Sequence, residues 1–160
     1  MATVENFDVV VLGAGAAGMM AAIEAGRRGR SSLVIDHAAA PGEKIRISGG
    51  GRCNFTNIHT APASFLSANP HFCKSALARY TPWDFIALVD KHGIRHHEKE
   101  LGQLFCDESS KLIVRMLVDE CRDANVVIET DCTINAVQQR IQDELKKQFD
   151  PAGIFNRGRA

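Results

Sequence analysis

The sequence predicts an α/β fold built on a parallel sheet, and three observations in the first 36 residues support this. The apolar run Val9–Leu12 has the length and composition of a buried strand. It leads into a glycine-rich turn at 13–18 and then into a stretch whose small residues suit a helix packed on a sheet. A second apolar run, Leu33–Ile35, follows and ends on Asp36. A strand, a helix and a second strand in this order make a βαβ unit, which joins parallel strands.

The turn after the first strand has the spacing Gly-x-Gly-x-x-Gly. Gly13 allows the tight turn, Gly15 lets the backbone approach a pyrophosphate, and Gly18 lets the helix pack close to the strand. Free N–H groups at the helix start favour an anion there. Asp36 lies where a carboxylate accepts hydrogen bonds from ribose hydroxyls. The segment predicts a Rossmann-like dinucleotide-binding unit; the alternative is a glycine-rich turn in an ordinary α/β protein.

The remaining elements follow from local signals. We expect a first strand at about 7–12, a helix at 15–28 ended by Gly29, a second strand at 33–36 and an irregular connection over 37–60. Asn69-Pro70 can open a short helix to about 79. Thr81 as N-cap, Pro82 at N1 and Asp84 at N3 predict a helix that runs to about His92 and stops at Gly93.

Further along, residues 94–107 predict a strand pair that turns near Gly102. Ser109 or Ser110 can cap the next helix, whose apolar residues recur at helical spacing, and Val126–Ile128 predicts a third parallel strand. We expect the start of another strand at 131–137. Residues 137–148 have the composition of a solvated amphipathic helix, and residues 150–153 that of a β-turn.

Composition fits one soluble domain. The 160 residues are 45% hydrophobic and 24% charged, with a formal net charge of zero. The chain lacks the net positive charge that is typical of nucleic-acid-binding proteins, and no apolar run approaches the ~20 residues that cross a bilayer. Glu5 and Asp8 precede the first apolar run, so we expect no secretory signal and a cytoplasmic location.

The cysteines and histidines give no metal-ligand spacing. The five cysteines are odd in number, widely spread and without a C-x-x-C pair, so we interpret them as reduced thiols. Cys53 has no neighbouring cysteine in the sequence, and His96 and His97 are adjacent and point to opposite faces of a strand. We therefore expect no metal site and assign no catalytic residue.

A second glycine-rich motif lies in the long connection. Gly49-Gly50-Gly51 can adopt left-handed conformations and wrap an anion with backbone N–H groups. Arg52 can fork onto a phosphate or carboxylate, and Asn54 and Asn57 can bond a heterocycle edge. Taken alone, the segment could equally be a flexible loop with one surface arginine.

With these motifs, residues 6–136 resemble the HI0933-like family of flavoproteins, also known as aminoacetone-oxidase-type FAD proteins. The resemblance is carried by the Gly13–Met19 turn and, most specifically, by the string Ile47–Asn57; the segments Tyr80–Phe85 and Glu100–Cys106 add to it. Arg46 departs from the family, where an aliphatic residue is expected.

The resemblance implies a flavin-dependent oxidoreductase that binds FAD, acts on a small organic substrate and uses NAD(P)H as a possible electron donor. The glycine turn would hold the pyrophosphate, Asp36 the adenosine ribose, the 44–54 loop would wrap the cofactor, and the backbone of Ile134 would meet the adenine. The implied cofactor-binding residues are Gly13, Gly15, Ala16, Ala17, Gly18, Asp36, His37, Lys44, Ser48, Gly49, Gly50, Gly51, Arg52, Cys53, Asn54 and Ile134.

The sequence departs from the family after about residue 136. Family members are longer, so we expect 1–136 to be a truncated FAD-binding Rossmann-like domain that lacks the substrate domain. Residues 137–160 resemble the C-terminal tail of vanillyl-alcohol-oxidase-type flavoproteins, which indicates a fused or rearranged reading frame; the alternative is a generic amphipathic helix and turn. Two functional alternatives remain open: an inactive remnant that binds a dinucleotide or only self-associates through an exposed sheet edge, and an NAD-binding module.

Overall fold

A computed structural model describes residues 5–134, and it confirms the predicted α/β class with a parallel sheet. Short 3₁₀ turns occur at Ser48–Gly51 and Pro62–Ser64. The helices and strands are β1 (Val9–Leu12), α1 (Ala16–Arg27), β2 (Ser32–Ile35), α2 (Glu43–Ile47), β3 (Asn54–Asn57), α3 (Lys74–Arg79), α4 (Pro82–Lys91), β4 (His96–Glu98), β5 (Gln103–Cys106), α5 (Lys111–Asp123) and β6 (Val126–Glu129).

The main sheet contains the three predicted parallel strands in the order β1-β2-β6. Its register aligns Val11, Val34 and Ile128, which face the core. Helices α1 and α5 pack on this face, and the largest fully buried side chains between the layers include Met19, Ile23, Met116 and Leu117. The hydrophobic core therefore lies on one side of the sheet.

The second sheet is antiparallel and has the order β3-β5-β4. The predicted strand pair is confirmed as β4 and β5, with positive φ at Leu101 and Gly102 in the turn between them. The prediction of an irregular connection over 37–60 was wrong, because this stretch contains α2 and β3. Strand β3 is four residues long and pairs with β5 some fifty residues later, so its stability depends on a partner that local periodicity does not reveal.

Capping explains where the later helices begin. Helix α4 starts as predicted, with a reciprocal capping box in which the Thr81 hydroxyl accepts from the Asp84 N–H and the Asp84 carboxylate accepts from the Thr81 N–H. Helix α3 starts at Lys74, later than predicted, because the Asn69 side chain accepts the His71 N–H in a local turn. At α5, Ser109 accepts the Lys111 N–H, whereas the Ser110 hydroxyl donates to the carbonyl of Arg46.

The chain after β6 does not form the predicted strand within residues 131–134. The Asp131 and Cys132 N–H groups donate instead to the carbonyls of Ala38 and Asp36, at 2.8 and 3.0 Å. The rest of that predicted strand, together with the helix and turn predicted over 137–160, lies outside the described residues. None of the helices in the described part is long and apolar enough to cross a membrane.

A buried carboxylate joins three helices. Glu120 of α5 is 3% exposed and accepts hydrogen bonds from Arg27 of α1, from Lys91 at 2.8 Å and from His92 at 2.7 Å at the end of α4. Burial alone would raise the pKa of Glu120, but the hydrogen bonds from Lys91 and His92 and the nearby positive charges lower it to about 2. The ionised carboxylate thus ties α1 and α4 to α5.

Substitution of Glu120 tests this tie. We expect Glu120→Gln to lower the free energy of unfolding at pH 7 by about 1–3 kcal/mol, the range for hydrogen bonds to a charged group. Folding lowers the pKa of Glu120 from 4.5. The extra free energy of unfolding of wild type is therefore present above about pH 4.5 and falls as the pH approaches 2. Urea unfolding at pH 7, 4 and 2.5 measures it, with Asp119→Asn on the same helix as the control. A difference that did not change with pH would contradict the assignment.

Strands β1 and β6 are the two edges of the main sheet within residues 5–134, and on the sheet face away from α1 and α5 both carry exposed apolar side chains beside the buried Leu33 of β2. Val10 and Leu12 of β1 are 51% and 55% exposed, and Val127 of β6 lies on the same face. Parallel sheets are usually covered on both faces, and an apolar edge with unpaired backbone groups favours pairing with another chain. The β1 edge is therefore a candidate for self-association.

We expect the chain to self-associate through this edge, as measured by size-exclusion chromatography with light scattering. Val10→Lys places a charge on the edge strand and should shift the chain towards monomer. Leu66→Lys, at a fully exposed apolar residue outside both sheets, is the control and should leave the association unchanged. A wild-type monomer with slow hydrogen exchange at Val9–Leu12 would show that this edge is already covered.

Candidate functional site

A continuous groove runs along the carboxyl ends of β1 and β2, where the glycine-rich turn begins α1. It consists of three adjoining cavities of about 380, 240 and 510 Å³, and Gly13 lines all three. Asp36 and His37 line the first two, and Gly15 and Lys44 line the last two. Open α/β sheets bind ligands at this end of their strands.

The backbone of the turn explains its glycines. Gly13 has a φ of +107°, which favours glycine. A Cβ atom on Gly18 would overlap the carbonyl oxygen of Gly13 and lie 3.2 Å from Val11 Cγ1, so the helix can approach the strand only at a glycine. Gly15 is different: its φ is −80°, and a Cβ there would meet nothing within 4 Å. Folding does not require glycine at 15, which leaves open space for a ligand against the backbone.

Asp36 lies between the turn and the connection after β2. Its Oδ2 accepts the Ala14 N–H at 2.6 Å and its Oδ1 accepts the Ala38 N–H at 2.9 Å. Backbone hydrogen bonds from Ala38 and Ala14 hold the pKa of Asp36 below its ordinary value, so the group is ionised at neutral pH. The carboxylate borders two of the groove's cavities.

The 44–54 segment forms the other wall of the groove. Lys44, Ser48, Cys53 and Asn54 line the 510 Å³ cavity opposite the start of α1. Gly49, Gly50 and Gly51 all have positive φ, and a Cβ on Gly49 would press on the Phe105 ring and the Asn54 backbone. These glycines therefore allow the turn that places Cys53 and Asn54 at the groove.

The structure brings most of the predicted binding residues together. All of them line the groove except Gly49, Gly50, Gly51 and Arg52, which border none of its three cavities; Arg52 is exposed. The members at the groove are Gly13, Gly15, Ala16, Ala17, Gly18, Asp36, His37, Lys44, Ser48, Cys53, Asn54 and Ile134. Their binding roles stay predictions.

Sequence reasoning missed the apolar lining of the largest cavity. Phe55 and Phe85, whose ring centroids are 6.0 Å apart, line it together with Ile113. These side chains come from β3, α4 and α5, so no spacing in the sequence connects them. Of these three residues, only Phe55 could have been found from the sequence, because it follows the predicted binding residue Asn54.

The chemistry of Cys53 argues against a nucleophilic role. Burial raises the pKa of the Cys53 thiol, with a hydrogen bond from Ser48 opposing it. Cys106, whose N–H donates to the Arg52 carbonyl at 2.9 Å, is on the neighbouring strand, and burial with the nearby Cys53 raises its pKa to about 11. Both thiols are protonated at neutral pH. Among the described residues, no group of three or more His, Cys, Asp or Glu side chains is placed to hold a metal ion.

Fold and groove together define a dinucleotide-binding domain of the Rossmann type. A family model described as "HI0933-like protein Rossmann domain" matches residues 7–156, and the chain belongs to this family. The match runs past residue 136 into the segment that we predict to be of different origin.

Two curated relatives are both called ribosomal RNA dihydrouridine synthase. The protein from Escherichia coli is 63% identical over 122 residues, which are 76% of this chain and 30% of the relative. The protein from Haemophilus influenzae is 51% identical over 140 residues, 88% of this chain and 35% of the relative. This chain spans about a third of the length of these relatives.

Two solved structures share this fold. A 3-ketosteroid-delta4-(5alpha)-dehydrogenase from Rhodococcus jostii aligns with a TM-score of 0.53 at 19% identity, over 78% of this chain and 38% of that one. A flavocytochrome c3 fumarate reductase aligns with a TM-score of 0.53 at 16% identity, over 85% and 29%. At these identities the likeness shows the fold alone.

Two glycine substitutions separate ligand binding from folding. We expect Gly15→Val to keep the wild-type melting temperature but to weaken FAD binding at least tenfold, because the branched side chain occupies the open space beside the backbone. Gly18→Ala should instead prevent or strongly destabilise folding, because its Cβ overlaps the Gly13 carbonyl. Circular dichroism melting and FAD titration measure the two effects. Wild-type FAD affinity in Gly15→Val would remove the turn from the binding site.

Proposed function

We propose that this chain is the FAD-binding part of a flavin-dependent oxidoreductase. The observation that carries the proposal is the groove itself, where the glycine turn, an acidic residue at the end of β2 and the 44–54 wall meet. Membership of the HI0933-like family and the likeness to flavoenzyme folds support FAD over NAD as the bound dinucleotide.

The residues present fit this cofactor. The start of α1 lines the groove, where the free N–H groups of a helix N-terminus suit a pyrophosphate, and Lys44 adds a positive charge on the opposite wall. The cavity bordered by Leu12, His37 and Ile134 suits the adenine, and the largest cavity, with its apolar Phe55 and Phe85, suits the ring of the flavin. When bound, FAD supplies hydride or electron transfer, with NAD(P)H as the proposed donor.

For the whole protein, we propose uridine in ribosomal RNA as the substrate, because both curated relatives carry that activity in their names. Making dihydrouridine reduces one carbon–carbon double bond, which a reduced flavin can do. This chain is neutral, so RNA contacts would be made by the part of the protein that corresponds to the relatives' other two-thirds. A small organic substrate is the alternative.

Titration with cofactors tests the first proposal. We expect the purified chain to bind one FAD, seen as a shifted flavin spectrum and quenched fluorescence, and to bind NAD more weakly. The Gly15→Val variant is the control for binding outside the groove. We also expect little NAD(P)H oxidation by the isolated chain, because the flavin ring is bordered here by one domain only. Tighter binding of NAD than of FAD, or no binding of either, would contradict the proposal.

A chimera tests the substrate. The chain would replace the matching third of the Escherichia coli relative, in a strain that lacks this relative, and dihydrouridine in ribosomal RNA would be measured by mass spectrometry. We expect the chimera to restore dihydrouridine and the same chimera with Gly15→Val to fail. If the chimera is stably expressed and loaded with FAD but makes no dihydrouridine, the RNA proposal is wrong and the small-molecule alternative stands.

A further inference from the structure

We infer that Ser110 is a positioning residue, which fastens the 44–54 wall of the groove to the start of α5 and so keeps the largest cavity in the shape that its ligand needs. On the sequence alone, Ser110 is one of two candidates to cap α5. The inference deepens the proposed function and rests on it for the identity of the ligand, because this cavity is the one proposed for the flavin ring.

Ser110 makes two hydrogen bonds to the wall. Its hydroxyl donates to the carbonyl of Arg46 at 2.8 Å, and its N–H donates to the carbonyl of Gly51 at 2.7 Å. Ser110 is 2% exposed, so both bonds are shielded from water, which strengthens them and makes their loss costly. Arg46 precedes the Ser48–Gly51 turn and Gly51 ends it, so a single residue fixes both ends of this turn.

Two neighbouring contacts support the same turn. A Cβ atom on Gly49 would lie 2.7 Å from Cε1 of Phe105, so the backbone of Gly49 lies against this ring of β5. The Cys106 N–H donates to the carbonyl of Arg52 at 2.9 Å. The end of β5 and the start of α5 therefore hold the turn together. Among these contacts, only that of Ser110 depends on a side-chain hydroxyl, which one substitution can remove.

Ser110 is connected to both sides of the largest cavity. On the wall, Ser48 and Cys53 line the cavity, and the Cys53 N–H donates to the Ser48 carbonyl at 3.1 Å, which closes the turn that Ser110 holds. On the side of α5, Ile113 lies one helical turn after Ser110 and lines the same cavity. The contacts of Ser110 thus set how far the wall lies from the apolar lining.

Helix capping does not explain Ser110. A serine that precedes a helix usually accepts an N–H group of the first turn. The side chain of Ser110 accepts none, and Ser109 accepts the Lys111 N–H instead, at 3.2 Å. The Ser110 hydroxyl donates to a segment 64 residues earlier in the chain. Ser109→Ala is therefore a matched control, because it removes a hydroxyl from the same helix start without touching the wall.

The first test compares a ligand that reaches the largest cavity with one that does not. FAD and ADP would be titrated into wild type, Ser110→Ala and Ser109→Ala. We expect Ser110→Ala to bind FAD about fivefold to tenfold more weakly, because the wall holds its binding-competent position for less of the time. Under the proposed function ADP ends at the glycine turn, so its affinity should stay within about twofold of wild type. Ser109→Ala should bind both ligands as wild type does.

Three results of this titration would contradict the inference. Equal losses of FAD and ADP affinity in Ser110→Ala would show a general structural effect. The same loss of FAD affinity in Ser109→Ala would assign the effect to the helix start and not to the contact with the wall. Unchanged FAD affinity in Ser110→Ala would show that the ligand does not depend on this contact.

The second test needs no ligand and uses Cys53 to report on the wall. Cys53 is 5% exposed, and Cys121 in the core is fully buried. The rates at which N-ethylmaleimide labels the two thiols would be measured by mass spectrometry of their peptides. In Ser110→Ala we expect Cys53 to be labelled about fivefold faster through local opening, whereas Cys121 should keep its wild-type rate. An equal rise at Cys121 would indicate global unfolding and overturn the local role of Ser110.

Failure of the inference is distinguishable from failure of the proposed function. If wild type binds neither FAD nor ADP, the proposed function fails, and the labelling of Cys53 still decides whether Ser110 holds the wall. If wild type binds FAD but Ser110→Ala changes neither FAD affinity nor the labelling of Cys53, the proposed function stands and the inference is wrong. Faster labelling of Cys53 with unchanged FAD affinity also overturns it, because the contact would then have no effect on the ligand.

Discussion

The close approach of α1 to β1 is the constraint on which the rest of the structure depends. At Gly18 the helix touches the carbonyl of Gly13, and at Gly26 a Cβ would overlap the carbonyl of Ala124 at the end of α5. The helix is thereby held between the sheet and α5, with its first turn beside the ends of β1 and β2. The position of its free N–H groups, and so the place where an anion can bind, follows from these two contacts.

Two carboxylates hold different parts of this arrangement. Glu120 is buried among the helices and stabilises their packing through side chains of α1 and α4. Asp36 lies at the groove and stabilises backbone turns. Both are kept ionised by hydrogen bonds, and each accepts at least one of these from a segment more than 20 residues away. The charge of each group thus fixes tertiary geometry as well as lowering its own pKa.

The groove lies at one end of the sheet, and this position bears on how the domain fits into the longer family members. The groups that line the groove lie at one end of the sheet, whereas Val10, Leu12 and Val127 are exposed on the sheet face away from α1 and α5. The relatives are about three times as long as the part that matches this chain. Under the proposed function, a cofactor bound in this groove faces one side of the domain, where another part of the protein could bring the substrate.

The sequence by itself determined the β1–α1–β2 unit, the glycine turn and the start of α4, because each depends on residues that are near one another in the chain. Gly13, Gly15 and Gly18 constrain one turn, and Thr81 and Asp84 satisfy one helix end. Tertiary structure decided the pairing of β3 with β5, the apolar wall of Phe55, Phe85 and Ile113, and the hydrogen bond from Ala14 to Asp36. These contacts join segments separated by up to about sixty residues, and their free energy depends on packing and burial that exist only once the chain has folded.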